Sequence, residues 1–247
     1  MITDKVPATW QDLQFKVGAI LQQCGLITEV EAKLESIRGT VELDVYAKEM
    51  MDGREYTIAC ECKYWKSNIP QSVIHSFRMV LSDLGCNLGY IITTSKFQKG
   101  AIAAIEKTNV ELLTWEEFQN TFFKTWYANH FCTVLRYEAS LKIEYNWVDW
   151  FDDLTREDKY IYNDLKNKLG DIDEAISYFP WPMSEKITSD FEIPKLPLYD
   201  NLYEGDYYGD LPDDILNETS FEELMLKLVA YSKPIMDQFI ALNEKYS

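Results

Sequence analysis

A two-residue turn, Asp52-Gly53, lies between two alternating segments and constrains the fold of this chain more than any other feature. Asp-Gly suits the type I′ turn of a β-hairpin, in which both central positions take a positive φ. The flanking segments, Val41–Lys48 and Glu55–Tyr64, alternate between apolar and polar residues as half-buried strands do. The sequence therefore predicts an antiparallel hairpin whose register is set by its turn.

The predicted register places four charged side chains on one strand face. Residues whose numbers sum to 105 oppose each other, so Asp44 faces Glu61 and Glu42 faces Lys63. Opposed β-carbons lie roughly 4.5–5.5 Å apart, where like charges repel. Two carboxylates so close either share a proton or bind a cation. The same four residues also fit a solvated strand face with a simple Glu42–Lys63 ion pair.

A cation at this position would suit chemistry on a phosphate group. Hard oxygen ligands, few in number, favour Mg²⁺, and Mn²⁺ accepts the same ligands. The backbone carbonyl of Cys62 is a further candidate ligand. A lysine beside the ion, here Lys63, can position the attacking water or neutralise charge on a phosphate.

The first half of the chain predicts a mixed sheet with helices on its faces. Apolar residues recur at helical spacing in three stretches and at strand spacing in others, and Thr114 with Glu117 forms a capping box for a last helix. The predicted order is α-β-β-β-α-β-α-β-α, an α/β (α+β) arrangement. Beyond the hairpin, the predicted segments are helix Trp10–Cys24, strand Thr28–Glu35, helix Pro70–Leu84, strand Tyr90–Thr93, helix Gln98–Lys107 and strand Val110–Leu113.

The second half is predicted to be mainly helical, and we divide the chain into a domain over residues 1–125 and an extension over residues 126–247. Thr133–Tyr145 alternates weakly and suggests a strand or hairpin. Asp158–Leu169 and Ser220–Lys245 have helical patterns, with Pro234 expected to break or kink the latter. Phe179–Asp214, rich in Pro, Tyr and Asp, is expected to be loop or linker.

The charge distribution is uneven along the chain. The formal net charge is −17, whereas nucleic-acid binders usually carry a basic surface. Residues 1–120 hold 12 Lys and Arg against 16 Asp and Glu, and residues 121–247 hold 12 against 25. The negative charge therefore lies mainly in the extension. For this reason the net charge of −17 argues less strongly against a nucleic-acid substrate of the first domain than it would if it were evenly distributed.

The extension also contains tyrosines among carboxylates. Such a segment can bind a basic protein partner, cover a neighbouring site or mimic nucleic acid, although a loop packed on its own domain explains it better. The tyrosines are Tyr199, Tyr203, Tyr207 and Tyr208.

Composition also bears on location and on the cysteines. No apolar run approaches the roughly 20 residues of a membrane span, and no signal segment opens the chain. Five cysteines, an odd number, fit a reducing compartment, so a cytoplasmic protein without membrane contact is expected. Cys60 and Cys62 suggest zinc, yet no second pair follows at a useful spacing, and core packing is the better interpretation.

Two runs resemble the PD-(D/E)XK nucleases, most closely the Mrr-type restriction endonucleases. They are Arg38–Ala47 (RGTVELDVYA) and Ala59–Trp65 (ACECKYW), and the resemblance continues in order over about residues 10–120. It implies a restriction-endonuclease-like αβββαβ core and a Mg²⁺-dependent DNA endonuclease of restriction or anti-phage defence, with a homodimer as a reasonable expectation for cutting both strands.

Residue roles follow from this resemblance by position. It implies that Asp44 and Glu61 bind the metal and that Lys63 serves the water and the phosphate. Gln14 occupies the position where related proteins commonly place a further acid, and it keeps an oxygen ligand while losing the charge. That loss favours two alternatives: a non-catalytic interaction module with a nuclease fold, or a subunit active only with a partner docked on the acidic half.

Further polar residues are candidates for accessory roles. Gln71, His75 and Arg78 share one face of the helix after Lys63, where they either border the site or form ordinary helix surface. Of the two histidines, His75 is better placed for a role than His130. Three lysines either form a small basic edge that contacts the DNA backbone or belong to an ordinary solvated surface. They are Lys96, Lys99 and Lys107.

Overall fold

The computed structural model describes residues 1–139, 145, 148–180, 192–201 and 211–246. The chain divides into two compact units. The first unit comprises Met1 and Lys5–Asn129, and the second comprises Ile2–Asp4 with the described part of His130–Ser247.

A five-stranded mixed sheet with the strand order β1-β2-β3-β4-β5 forms the centre of the first unit. The strands β1, β2 and β3 are antiparallel, whereas β4 and β5 run parallel to β3. The strands are β1 Ile27–Ser36, β2 Gly39–Met51, β3 Arg54–Lys63, β4 Leu88–Thr93 and β5 Val110–Thr114. The helices are α1 Trp10–Gln23, α2 Gln71–Leu84, α3 Lys99–Ala104 and α4 Trp115–Trp126. This element order confirms the predicted fold class.

The β2–β3 hairpin has the predicted turn and register. Asp52 and Gly53 both take positive φ, 49° and 75°, and the paired positions run from Met51↔Arg54 to Val45↔Cys60. The paired ladder ends there, so the predicted Asp44–Glu61 and Glu42–Lys63 pairs lie beyond the last paired position. The two strands therefore stop pairing just where the charged residues begin.

The neighbouring strand β1 is also irregular beside Asp44. Val30 pairs with Val45 and Ala32 with Leu43, and between them Glu31 takes a φ of 54°. A positive φ is uncommon for a residue with a β-carbon and stores strain of the kind that concentrates at functional sites.

Helices cover both faces of the sheet. A β-carbon on Gly18 of α1 would lie 2.5 Å from Val30, so α1 packs closely on the face that carries Val30 and Val45. On the opposite face, a β-carbon on Gly89 would lie 2.7 Å from Phe77 of α2. Glycine at that position lets α2 approach β4, which places α2 over the end of β3.

The second unit is helical. Its main helices are α6 Arg156–Ser177 and α8 Phe221–Tyr246, with the short α5 Cys132–Val134 and α7 Asp213–Leu216. Pro234 lies inside α8, which continues through it as one helix. The core includes contacts among the rings of Trp150, Tyr162 and Phe239. The described part of the acidic extension is thus mainly helical, as predicted.

One prediction for the second unit is wrong. Residues 133–139 are helical and include the π-helical turn Leu135–Ala139, whereas the sequence pattern suggested a strand over Thr133–Tyr145. Leu135 and Ala139, four residues apart, are both buried, so a helical period explains this stretch better than alternation does. The predicted segment 140–144 lies outside the described residues, as do Tyr203, Tyr207 and Tyr208.

Within the described ranges, no helix has both the length and the apolar character that crossing a membrane requires.

Candidate active site

Asp44 is held from two directions where β2 and β3 separate. Its Oδ2 accepts the backbone N–H of Cys62 at 2.6 Å, and its Oδ1 accepts Gln14 Nε2 at 2.6 Å. The carboxylate thus replaces a backbone acceptor for β3 and also contacts α1. Both bonds fix its orientation, which is a condition for a precisely built site.

Glu61 and Lys63 lie two residues apart on β3 and are therefore on one face of that strand. Lys63 Nζ donates to Glu61 Oε1 as an ion pair. Burial raises the pKa of Glu61, the neighbouring charge of Asp44 raises it further, and Lys63 partly offsets both effects. A second positive charge beside this pair of acids would therefore be favourable.

The predicted cross-strand pair between Glu42 and Lys63 is not formed. Glu42 instead lies 4.0 Å from Lys33 of β1 as an exposed ion pair. Lys63 is directed to Glu61, because the ladder has ended before Glu42 and Lys63 could pair across it. Lys63 therefore remains beside the acids.

Gln14 is the buried member of this group, with an exposed fraction of only 4%. Its Nε2 is used by Asp44, whereas its Oε1 is buried and has no hydrogen-bond partner in the described part of the chain. An amide oxygen left in this way is a cost that a cation or an ordered water would remove.

The donor set fits a divalent cation. Two carboxylates and an amide oxygen are hard oxygen donors, and Mg²⁺ takes one or two carboxylates together with water and substrate phosphate. Within the described residues, no group of three or more His, Cys, Asp and Glu side chains is placed to hold a metal ion. Any ion bound by Asp44 and Glu61 would therefore keep several positions for water or phosphate.

A groove of about 390 Å³ adjoins the acids. On the sheet side it is lined by Glu42, Glu61, Lys63 and Trp65. On the helix side it is lined by Ser72, Val73, Ser76, Phe77 and Val80 of α2. The groove opens the Glu61–Lys63 pair to a substrate and presents two hydroxyl groups opposite it.

The predicted accessory face of α2 does not border this groove. His75 and Arg78 line another groove of about 800 Å³ on a different side of α2, where Arg78 also donates to the carbonyl of Ala104 at 3.3 Å. Gln71 lies against Gly100 at the start of α3. One helical position is about 100° of rotation, so Ser72 and Ser76 face the acids and Gln71 and His75 do not.

Sequence reasoning did not single out Ser72, Ser76 or Trp65. The serines lie on the same side of α2 as Val73 and Val80, two partly buried residues that line the same groove. The helical spacing of these residues was the sequence signal that could have identified the serines. The predicted basic edge is also divided, because Lys96 lines a groove beside Trp65 whereas Lys107 lines the one with His75.

Cys60 and Cys62, the thiols near the site, pack in the core of the sheet. Cys60 and Cys62 are both buried, and burial raises the pKa of each thiol well above its usual value. Neutral thiols packed in the sheet are poor zinc ligands. The core-packing interpretation of these cysteines is confirmed.

Comparison with protein families finds a match over residues 7–122 to a family model described as "Restriction endonuclease", the Mrr catalytic domain. The matched range begins just before α1 and ends within α4, so it contains the sheet, the acids, Lys63 and Gln14. Comparison with curated proteins finds no match.

Three solved structures resemble parts of the chain. A protein of unknown function, AF1548, is 19% identical, with a TM-score of 0.36 over 44% of this chain and 66% of that one. The MspJI restriction endonuclease in complex with a 27-mer oligonucleotide is 16% identical, with a TM-score of 0.34 over 48% of this chain and 28% of that one. The DNA modification-dependent restriction endonuclease AspBHI is 12% identical, with a TM-score of 0.32 over 48% and 38%.

These likenesses by themselves establish neither the fold nor an activity, and the present chain spans less than two thirds of the length of each structure. The family match is the stronger finding, because it covers one continuous region that contains the whole site. The αβββαβ order within that region agrees with it. Residues 7–122 thus match a restriction endonuclease domain, which is consistent with an Mrr-like member of the PD-(D/E)XK nucleases.

Proposed function

We propose that this domain hydrolyses phosphodiester bonds in DNA with Mg²⁺ at Asp44 and Glu61, and that Mn²⁺ can replace it. The observation that carries the proposal is the held carboxylate of Asp44 beside the raised-pKa carboxyl of Glu61, with the unpartnered Oε1 of Gln14 next to them. Restriction or anti-phage defence is the biological setting that the family suggests.

Each residue has a distinct task in this proposal. Asp44 and Glu61 supply the oxygen donors, with the Cys62 carbonyl as a further candidate. Lys63 donates a hydrogen bond to the attacking water or to a phosphate oxygen, and its charge offsets the negative charge that grows on the phosphate. A bound divalent cation supplies Lewis acidity and lowers the pKa of water.

The proposed reaction is the hydrolysis of a phosphodiester bond by water. The oxygen of water forms a bond to phosphorus, and the phosphorus–oxygen bond to the leaving sugar oxygen breaks. One water proton leaves the nucleophile and one proton reaches the leaving oxygen. Gln14 orients Asp44 throughout, because its amide N–H holds one oxygen of that carboxylate.

Incubation with supercoiled plasmid and Mg²⁺ tests the proposal. We expect the wild type to nick or linearise the plasmid, and Asp44→Ala and Lys63→Ala each to lose activity by about 10²-fold or more, the scale seen when a group that stabilises the transition state is removed. Glu55→Gln is the matched control, because Glu55 is an exposed carboxylate of β3 that pairs with Lys48 and does not line the groove. Equal cleavage by all four proteins would reject the assignment.

A second candidate function is a non-catalytic interaction module with a nuclease fold. The neutral Gln14, at a position where the family commonly has an acid, is the observation that favours it. In that case neither Mg²⁺ nor Mn²⁺ binds at millimolar concentration. A homodimer and a protein partner on the acidic second unit remain proposals that accompany the first function.

A further inference from the structure

A second groove adjoins the active-site groove in the first unit. Its volume is about 520 Å³, and its lining includes Tyr64, Trp65, Lys66 and Lys96. These residues belong to the segments that follow β3 and β4. The carboxyl ends of parallel strands commonly form ligand-binding crevices, and this groove lies at the carboxyl ends of β3 and β4.

Trp65 connects the two grooves, because it lines both of them. Its ring centroid lies 5.9 Å from Lys63 Nζ, so the ring is next to the lysine of the proposed active site. Trp65 and its neighbour Tyr64 are each 41% exposed. Two adjacent aromatic side chains, each only partly covered, are therefore available beside the acids.

Hydrogen bonds join the two segments that line the second groove. Ile69 N donates to Lys96 O at 2.8 Å, and Gln98 N donates to Ile69 O at 3.0 Å. Ser95 Oγ donates to the carbonyl of Ser67 at 2.9 Å. Because these bonds join the segment after β3 to the segment after β4, the groove is preformed and little ordering is needed when a ligand enters.

The charge of this groove is opposite to that of the chain as a whole. Lys66 and Lys96 line it, both are exposed, and the described residues of its lining include no carboxylate. The whole chain carries a formal charge of −17. A cationic groove with exposed aromatic rings is the arrangement that binds single-stranded nucleic acid, since bases stack on the rings and lysines contact the phosphates.

We propose that the Tyr64–Trp65 groove binds an unpaired nucleotide next to the scissile phosphate, so that the preferred DNA has a single-stranded or locally unpaired segment at the cleavage point. Bases in an intact duplex stack on each other and do not offer a face to a protein ring. The nearness to the scissile phosphate rests on the proposed function, whereas the binding of unpaired bases does not.

Fluorescence anisotropy in EDTA tests the binding without cleavage. The probes are a labelled, fully paired duplex and the same duplex with a short unpaired segment. We expect the wild type to bind the second DNA more tightly, and Trp65→Ala to weaken that binding by about tenfold, the scale of one stacked base. Trp65→Phe keeps a ring and should retain most of the preference.

Trp10→Ala is the matched control. Trp10 belongs to the same unit, is 50% exposed and lines neither groove. Lys66→Gln should weaken binding to both DNAs and lower the dependence on salt, because it removes a phosphate contact without touching the rings. Equal affinity of Trp65→Ala and Trp10→Ala for the unpaired DNA would overturn the proposal, as would equal affinity of the wild type for both DNAs.

The two proposals fail in different ways. If Trp65→Ala binds like the wild type in EDTA while the wild type still cleaves plasmid in Mg²⁺, the base-binding groove is rejected and the nuclease assignment stands. If the stacking preference is lost in Trp65→Ala but no protein cleaves DNA, the groove stands and the nuclease assignment is rejected.

Discussion

Asp44 accepts the backbone N–H of Cys62 at 2.6 Å at the point where pairing between β2 and β3 has ended. A side chain thus completes the hydrogen bonding that the ladder leaves open. The separation of the strands creates the space that the acids occupy, and the Asp44–Cys62 bond keeps that separation from leaving a backbone donor unsatisfied. The site and the end of the hairpin are therefore one structural feature.

Because Asp44 accepts the Cys62 N–H, we expect two substitutions of Asp44 to differ in stability. Asp44→Asn and Asp44→Ala both remove the charge, but only asparagine keeps an oxygen that can accept Cys62 N–H. Without divalent cations, we expect Asp44→Ala to have a free energy of unfolding about 1–3 kcal/mol below that of Asp44→Asn, the cost of an unsatisfied buried donor. Urea denaturation measures the difference, and equal stability would show that the bond contributes nothing.

The raised pKa of Glu61 should make the free energy of unfolding depend on pH. Because its pKa is raised in the fold from the usual 4.5, the ionised form is disfavoured, and stability is lost as pH rises through the interval from 4.5 to the raised value. Glu61→Gln lacks this loss, so without metal its free energy of unfolding should exceed that of the wild type at neutral pH. Denaturation curves from about pH 4 to pH 8 test this. Glu42→Gln, which alters an exposed carboxylate, should show no such gain.

The charge of the side chain at position 14 should change the affinity of the site for a divalent cation. Gln14→Glu places a third carboxylate beside Asp44 and Glu61, so it should tighten Mn²⁺ binding by about tenfold, since ligand charge tunes cation affinity. It should also lower stability in the absence of metal through repulsion. Gln22→Glu, on the exposed face of the same helix, is the control for added charge. Identical Mn²⁺ affinities in the two variants would place Gln14 outside the site.

The two faces of α2 predict different sensitivities to mutation. His75 lines the groove on the other side of the helix, whereas Lys63 ion-pairs with Glu61 in the groove beside the acids. We expect His75→Ala to keep plasmid cleavage within about twofold of the wild type and Lys63→Ala to lower it by about 10²-fold. A plasmid time course with both variants checks this. The reverse order would move the chemistry to the His75 groove.

Local signals in the sequence predicted most of the first unit. Asp52-Gly53 determines the hairpin register, because both residues take the positive φ of a type I′ two-residue turn. Thr114 and Glu117 form the predicted capping box at the start of α4. In each case neighbouring residues determine the structure, so the pattern is readable without tertiary contacts.

Features that depend on tertiary contacts were harder to predict. The β2–β3 ladder ends next to Asp44, which contacts Gln14 30 residues away, whereas the turn alone predicts continued pairing. The rotation of α2 likewise involves tertiary contacts: Phe77 packs closely on Gly89, and Ser76 rather than His75 lines the groove with Glu61. The predicted helix over Gln98–Lys107 is shorter in the structure, where α3 ends at Ala104 and Lys107 takes a φ of 58°.

Calorimetric titration with Mn²⁺ tests the central claim most directly, because it measures the cation site without requiring the right DNA. We predict that the wild type and Glu55→Gln bind Mn²⁺ at about millimolar concentration or below, and that Asp44→Asn loses this binding while keeping its fold. The absence of Mn²⁺ binding by the wild type, or equal binding by all three proteins, would contradict a divalent cation held between Asp44 and Glu61.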